Sequence, residues 1–214
     1  DFAPRFYSRS RYFRPMTLLR RVRPFQGSPR IRVALKVRYD WGQTTPEITR
    51  GSNHIRYVGE SMTLRLSTDA PVSHVLSGQA FVLTREHNFL LGADETLVDG
   101  IADTARHFEQ ETTAYWRSWS RALAIPLEWQ DAVIRAAITL KLSLYEETGA
   151  IVAAMTTSIP ESAHSGRNWD YRYCWLRDAF FVVRALNSIS EVGTMEDYLR
   201  WLSNVVVEGG DGHI

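Results

Sequence analysis

The spacing of apolar residues changes once along this chain, near Gly100, and that change limits the fold more than any other feature. Before Gly100 the period is two. Ile31, Val33, Leu35, Val37 and Tyr39 alternate with Arg30, Arg32, Ala34, Lys36 and Arg38. A period of two sends the two sets to opposite faces of an extended chain, so residues 30–39 predict a half-buried strand with its cations in water. Shorter runs at Met16–Val22, Ile55–Val58, Met62–Leu66, Val72–Leu76 and Ala80–Thr84 repeat the theme. Turn-forming clusters such as Gly27-Ser28-Pro29 and Thr68-Asp69-Ala70-Pro71 separate them. Short strands at this spacing predict an antiparallel β-sandwich over residues 1–98.

Beyond Gly100 the period is that of a helix. Ile101, Ala105, Phe108, Thr112, Tyr115 and Trp119 form one stripe, which predicts a linker helix over Ile101–Arg121 within a segment 99–125. Pro126 interrupts it. A second helix is expected from Leu127 to Tyr145, a third from about Asp178 and a fourth over Met195–Val206. The second and third are apolar around most of their girth, and such helices need neighbours on most sides. Three helices within 126–214 cannot enclose one another, so this part reads as the opening of a helical domain cut off partway.

Composition removes several classes. With 44% apolar and 23% charged residues the chain is globular rather than disordered. No run approaches the roughly 18 apolar residues of a membrane helix, so no membrane partner is expected. The lone Cys174 excludes an internal disulfide and a cysteine-based zinc site. The start, Asp1, is followed by nothing like a secretory signal, and a cytoplasmic location is expected. The net charge of +1 conceals a basic arm: residues 1–38 hold eleven Lys or Arg against one acid, Asp1. Interleaved with Phe2, Phe6, Tyr7, Tyr12 and Phe13, such an arm suits nucleic acid. The alternation of residues 30–39 favours a solvated sheet face instead, and no nucleic-acid partner is expected.

The chemistry concentrates at residues 167–178, Arg-Asn-Trp-Asp-Tyr-Arg-Tyr-Cys-Trp-Leu-Arg-Asp. Sugar rings have apolar faces and a rim of hydroxyls that donate and accept. Aromatic faces match the first, and Arg–Asp pairs match the second. A structural reading stands beside this one: Asp178 as a helix cap, Arg177 in an ordinary ion pair and the aromatics as core. Nothing else competes. The six histidines are scattered without i,i+4 spacing, and neither a Gly-x-Ser-x-Gly elbow nor a phosphate loop is present. No metal and no cofactor is expected. Glu146 and Glu147, beside Thr148-Gly149, read as solvated turn residues rather than an acid and base.

The run Arg167–Ala179 resembles the signature near the start of the catalytic domain in glycoside hydrolase family 15, the family of glucoamylases, glucodextranases and microbial trehalases. Tyr145-Glu146-Glu147-Thr148-Gly149-Ala150 and Thr156-Thr157-Ser158-Ile159-Pro160-Glu161 extend the match. The resemblance implies an N-terminal β-sandwich, a linker helix and, over 126–214, the first helices of an incomplete (α/α)6 barrel. It implies that Arg177 and Asp178 bind the hydroxyls of a terminal glucose, that Tyr171 and Trp175 shape the pocket near the scissile bond, and that Trp169 forms a wall. It implies hydrolysis of a terminal α-glucosidic bond with inversion, in an α-glucan oligosaccharide or in trehalose. The general acid and base are glutamates of later segments, expected beyond residue 214, so the chain by itself is expected to be inactive. The alternative is a non-enzymatic carbohydrate-binding or interaction module built on the β-sandwich.

Overall fold

The computed structural model describes residues 1–209; residues 210–214, which hold most of the terminal glycine cluster and His213, lie outside the described residues. The chain divides into two compact units, Asp1–Arg117 and Ser118 onward.

The first unit is built on one antiparallel sheet. A short hairpin, β1 (Phe6–Ser8) and β2 (Arg11–Phe13), precedes β3 (Thr17–Val22), β4 (Arg30–Ile31), β5 (Glu47–Arg50), β6 (His54–Val58) and β7 (Thr63–Thr68). After a short helix, α1 (Val72–Ser77), come β8 (Phe81–Val82) and β9 (His87–Ala93). Five strands join in the order β3-β9-β7-β6-β5, all antiparallel. The pleat then sorts the side chains. Leu19 and Leu90 face each other across β3 and β9 and pack against Ile101 and Ala105. Ile55, Leu66 and Phe89 point the other way, into a cluster with Val37, Val75 and Phe81. Burying a side chain of this size stabilises the fold by roughly 1.5–3 kcal/mol, so both faces of the sheet contribute.

The opposing layer differs from a second full sheet. Residues 31–39 alternate in burial as their period demands, with Val37 buried, Ile31, Val33, Leu35 and Tyr39 half-buried, and Arg32, Lys36 and Arg38 exposed. Yet only Arg30 and Ile31 are laddered, to β8. The segment covers the sheet by packing its apolar side chains rather than by strand pairing. Val72–Leu76, expected as a strand, is helical. The run Val-Ser-His-Val-Leu-Ser fits both periods, and its ends decide. Pro71, whose φ is fixed, opens the helix, and Gly78 closes it at φ 64° with its N–H on the carbonyl of His74. Within the arm, Arg20 pairs with Asp1, while Arg21 and Arg23 pair with Glu86 and Glu109.

α2 (Ile101–Arg121) has the span its stripe predicts, with Ile101, Ala105 and Thr112 buried. The second unit contains α3 (Gln130–Leu142), the hairpin β10 (Leu144–Tyr145) and β11 (Ala150–Ile151), α4 (Leu176–Ser188) and α5 (Gly193–Gly209). Its core gathers Leu123, Ala137, Leu144, Ile151, Ala179, Val182, Leu186 and Tyr198. α3 is shorter than expected, and of its residues Ala137 and Lys141 are buried. Among the described residues, no helix is long and apolar enough to cross a membrane.

Candidate substrate-binding site

The site is hung on the β10–β11 hairpin. Gly149 occupies its turn at φ 92°, where a Cβ would strike the carbonyl of Asp197, so the turn can lie against α5 only as glycine. Ile151 is fully buried and fixes the outgoing strand. That strand continues beside the signature segment: the N–H groups of Ala153 and Ala154 donate to Tyr173 and Tyr171 O at 3.2 and 2.9 Å, and Tyr171 N–H donates to Thr156 O at 3.0 Å. Residues 157–170 are therefore an excursion closed at its base by backbone hydrogen bonds.

The returning segment carries the functional candidates. Asp170 and Arg172 form a two-pronged pair at 3.0 and 2.9 Å, and Asp170 also accepts the Arg172 N–H at 3.0 Å. The side-chain hydrogen bond from Arg172, then its backbone one, hold the Asp170 carboxyl below its ordinary range. This local clamp shapes the turn between Trp169 and Tyr173. Cys174 turns inward, and burial pushes its thiol up. Trp175 is extended (φ −82°, ψ 118°) and stands as the N-cap of α4, with no side-chain cap.

Arg177 and Asp178 consequently fall in the first turn of α4. Asp178 is not the cap; its carboxylate lies in the first turn, where the helix dipole favours a negative charge. It accepts a hydrogen bond from the Arg177 guanidinium at 3.3 Å. The Arg177 side chain is 76% exposed and that of Asp178 33%, so neither is committed to the core. Trp169 meets Trp175 edge-on, with ring centres 6.2 Å apart and planes at 80°. The structure thus brings the candidates together as two pairs, Trp169 with Trp175 and Arg177 with Asp178. Tyr171 is half-buried and is placed by its backbone bonds.

Glu146 and Glu147 lie elsewhere, lining a cleft with Asp197, Arg200 and Trp201 of α5. Among the described residues, no three His, Cys, Asp or Glu side chains are grouped to hold a metal ion. Sequence reasoning gave no role to Asp170, Arg172 or Glu161. The i,i+2 spacing of opposite charges was the available signal for the first two; the partner of Glu161 lies eight residues on and had none.

Residues 129–211 match the family model of glycosyl hydrolases family 15, and this helical part of the chain belongs to that family. The chain is similar to proteins named trehalase. That of Thermoplasma volcanium is 31% identical over 169 residues, covering 74% of this chain and 26% of the relative. That of Thermoplasma acidophilum is 48% identical over 97 residues, 45% of this chain and 17% of the relative. That of Mycobacterium tuberculosis is 38% identical over 96 residues, 44% and 14% respectively. The chain thus spans about a quarter or less of the length of these relatives. No solved structure matches it.

Proposed function

We propose that the chain forms part of an inverting α-glucoside hydrolase whose substrate is trehalose, and that residues 169–178 build the subsite for one terminal glucose. The observation that carries this is the exposed Arg177–Asp178 pair at the head of α4, beside the Trp169–Trp175 wall, within the residues 129–211 that match the model of glycosyl hydrolases family 15. The guanidinium donates to one hydroxyl and the carboxylate accepts from its neighbour, while an aromatic face lies along the ring. The shared name of the similar proteins favours trehalose over α-glucan oligosaccharides.

The reaction needs two further carboxyl groups. One protonates the glycosidic oxygen as the bond to the anomeric carbon breaks; the other removes a proton from water attacking that carbon from the opposite face. Neither role falls to Glu146 or Glu147. Both fall to glutamates of later segments in a longer parent chain, in which α3, α4 and α5 are the first helices of an (α/α)6 barrel. The test is proton NMR of glucose formed from trehalose by the parent, before mutarotation. Inversion yields one β- and one α-glucose from each trehalose. Early product that is all α would mean retention, and absence of hydrolysis, with activity on soluble starch instead, would overturn the substrate.

A further inference from the structure

Glu161 stands outside the signature run, on the excursion that precedes it. Its backbone N–H donates to Arg167 O at 3.0 Å, which closes the excursion a second time above its base. Its side chain reaches forward: the indole N–H of Trp169 donates to Glu161 Oε1 at 2.7 Å, and Arg167 Nη1 lies 3.7 Å from Glu161 Oε2. Trp169 is 44% exposed, so packing alone leaves the ring free to turn. An indole has a single donor, and a carboxylate is its strongest acceptor, so this one bond fixes the ring about its long axis. The ring so held makes an edge-to-face contact with Trp175, and Trp175 is the N-cap from which Arg177 and Asp178 follow.

We propose that Glu161 is a positioning residue of the sugar subsite: it acts through Trp169, holding the indole as a wall against Trp175 and so setting affinity for the terminal glucose. This rests on the reading of residues 169–178 as that subsite. A merely structural role predicts lower stability with unchanged kinetics. Positioning predicts an altered KM with kcat preserved, because an apolar wall along the sugar ring holds ground state and transition state alike.

The experiment uses the full-length parent and four variants, Glu161→Ala, Glu161→Gln, Trp169→Phe and the Glu161→Ala/Trp169→Phe double variant. Glu161→Ala should raise KM for trehalose about fivefold, the loss expected of one partly solvated hydrogen bond to a charged group, with kcat within about twofold. Glu161→Gln keeps an acceptor oxygen and should restore KM. Trp169→Phe keeps a ring but removes the donor, so it should match Glu161→Ala, and the double variant should be no worse than either. Effects that multiply, or a fall in kcat at constant KM, overturn the proposal. A second arm needs no activity. With 5-fluorotryptophan incorporated, the fluorine resonance missing in Trp169→Phe identifies Trp169. It should shift in Glu161→Ala and return in Glu161→Gln. If trehalose is not hydrolysed but this resonance responds, the substrate assignment fails and the wall stands; an unmoved resonance overturns the wall itself.

Discussion

The sheet of the first unit is covered on both sides, whereas the helices of the second are covered on one. Leu19 and Leu90 meet α2 on one face, and Ile55, Leu66 and Phe89 meet residues 31–39 and α1 on the other. α4 buries Ala179, Val182 and Leu186 while Phe180 and Phe181 remain 54% and 57% exposed. Leu142 of α3 and Leu199 of α5 are exposed as well. Both units hold ion pairs inside as well as at the surface. In the first, Arg21 is largely buried between Glu86 and Glu109, while Arg56 pairs with Asp94 nearer the rim. The second places Lys141 inside, donating to Glu191 at 3.0 Å and to Thr194 at 3.1 Å, where α3 ends and α5 begins. A layered β unit closes on itself by apolar burial. The helical unit is pinned by a polar junction and leaves aromatic faces presented.

The largest test of this contrast is catalytic. The 214-residue chain should release no glucose above background from trehalose, maltose or soluble starch, a deficit of many orders of magnitude against the parent. Activity that Glu146→Gln or Glu147→Gln abolishes would place the acid and base inside the one-sided unit.

The buried junction comes next. Lys141→Met strands the Glu191 carboxylate, which should destabilise the helical unit by about 3 kcal/mol in urea denaturation. A loss below about 1 kcal/mol would mean that the junction does not hold α3 to α5. Burial by itself raises the Glu191 carboxyl, but Thr194 and then Lys141 outweigh it and leave it below its ordinary value of 4.5. The unfolded chain therefore takes up this proton first as pH falls. The contribution is complete above about pH 4.5 and disappears as pH drops through the lower folded value. Glu191→Gln should flatten the stability profile there; an unchanged acid slope would assign it to other carboxyls.

Arg177→Leu or Asp178→Asn in the parent should lower kcat/KM about ten- to a hundredfold with little change in melting temperature. Asp178→Ala also removes a first-turn charge, at a cost of about 0.5 kcal/mol of stability. Reduced stability with normal kinetics would return both residues to a structural role. The smallest effect is expected at the rim of the β unit. Arg56→Ala opens an exposed pair and should leave the melting temperature unchanged within error; a clear drop would show that the first unit depends on its ion pairs too.

Much of this was legible without coordinates, because period reports burial wherever one face alone is covered. Residues 31–39 alternate, and α2 spans Ile101–Arg121, as the pattern of apolar residues requires. Legibility failed at β9. His87–Ala93 is the second strand of the sheet and is buried on both faces, so its run lacks alternation and gives no strand signal.

The sequence by itself determined the two periods, the switch between them near Gly100 and the density of aromatic, Arg and Asp residues at 167–178, since each depends on neighbours along the chain. Only the tertiary structure decided three further matters. The five-stranded sheet sets β9 between β3 and β7, Val72–Leu76 coils between Pro71 and Gly78, and Glu161 reaches Trp169 across a closed excursion. Each of these rests on contacts or chain ends that no repeating pattern encodes. A hydrogen bond spanning eight residues exists only once the backbone has turned back on itself.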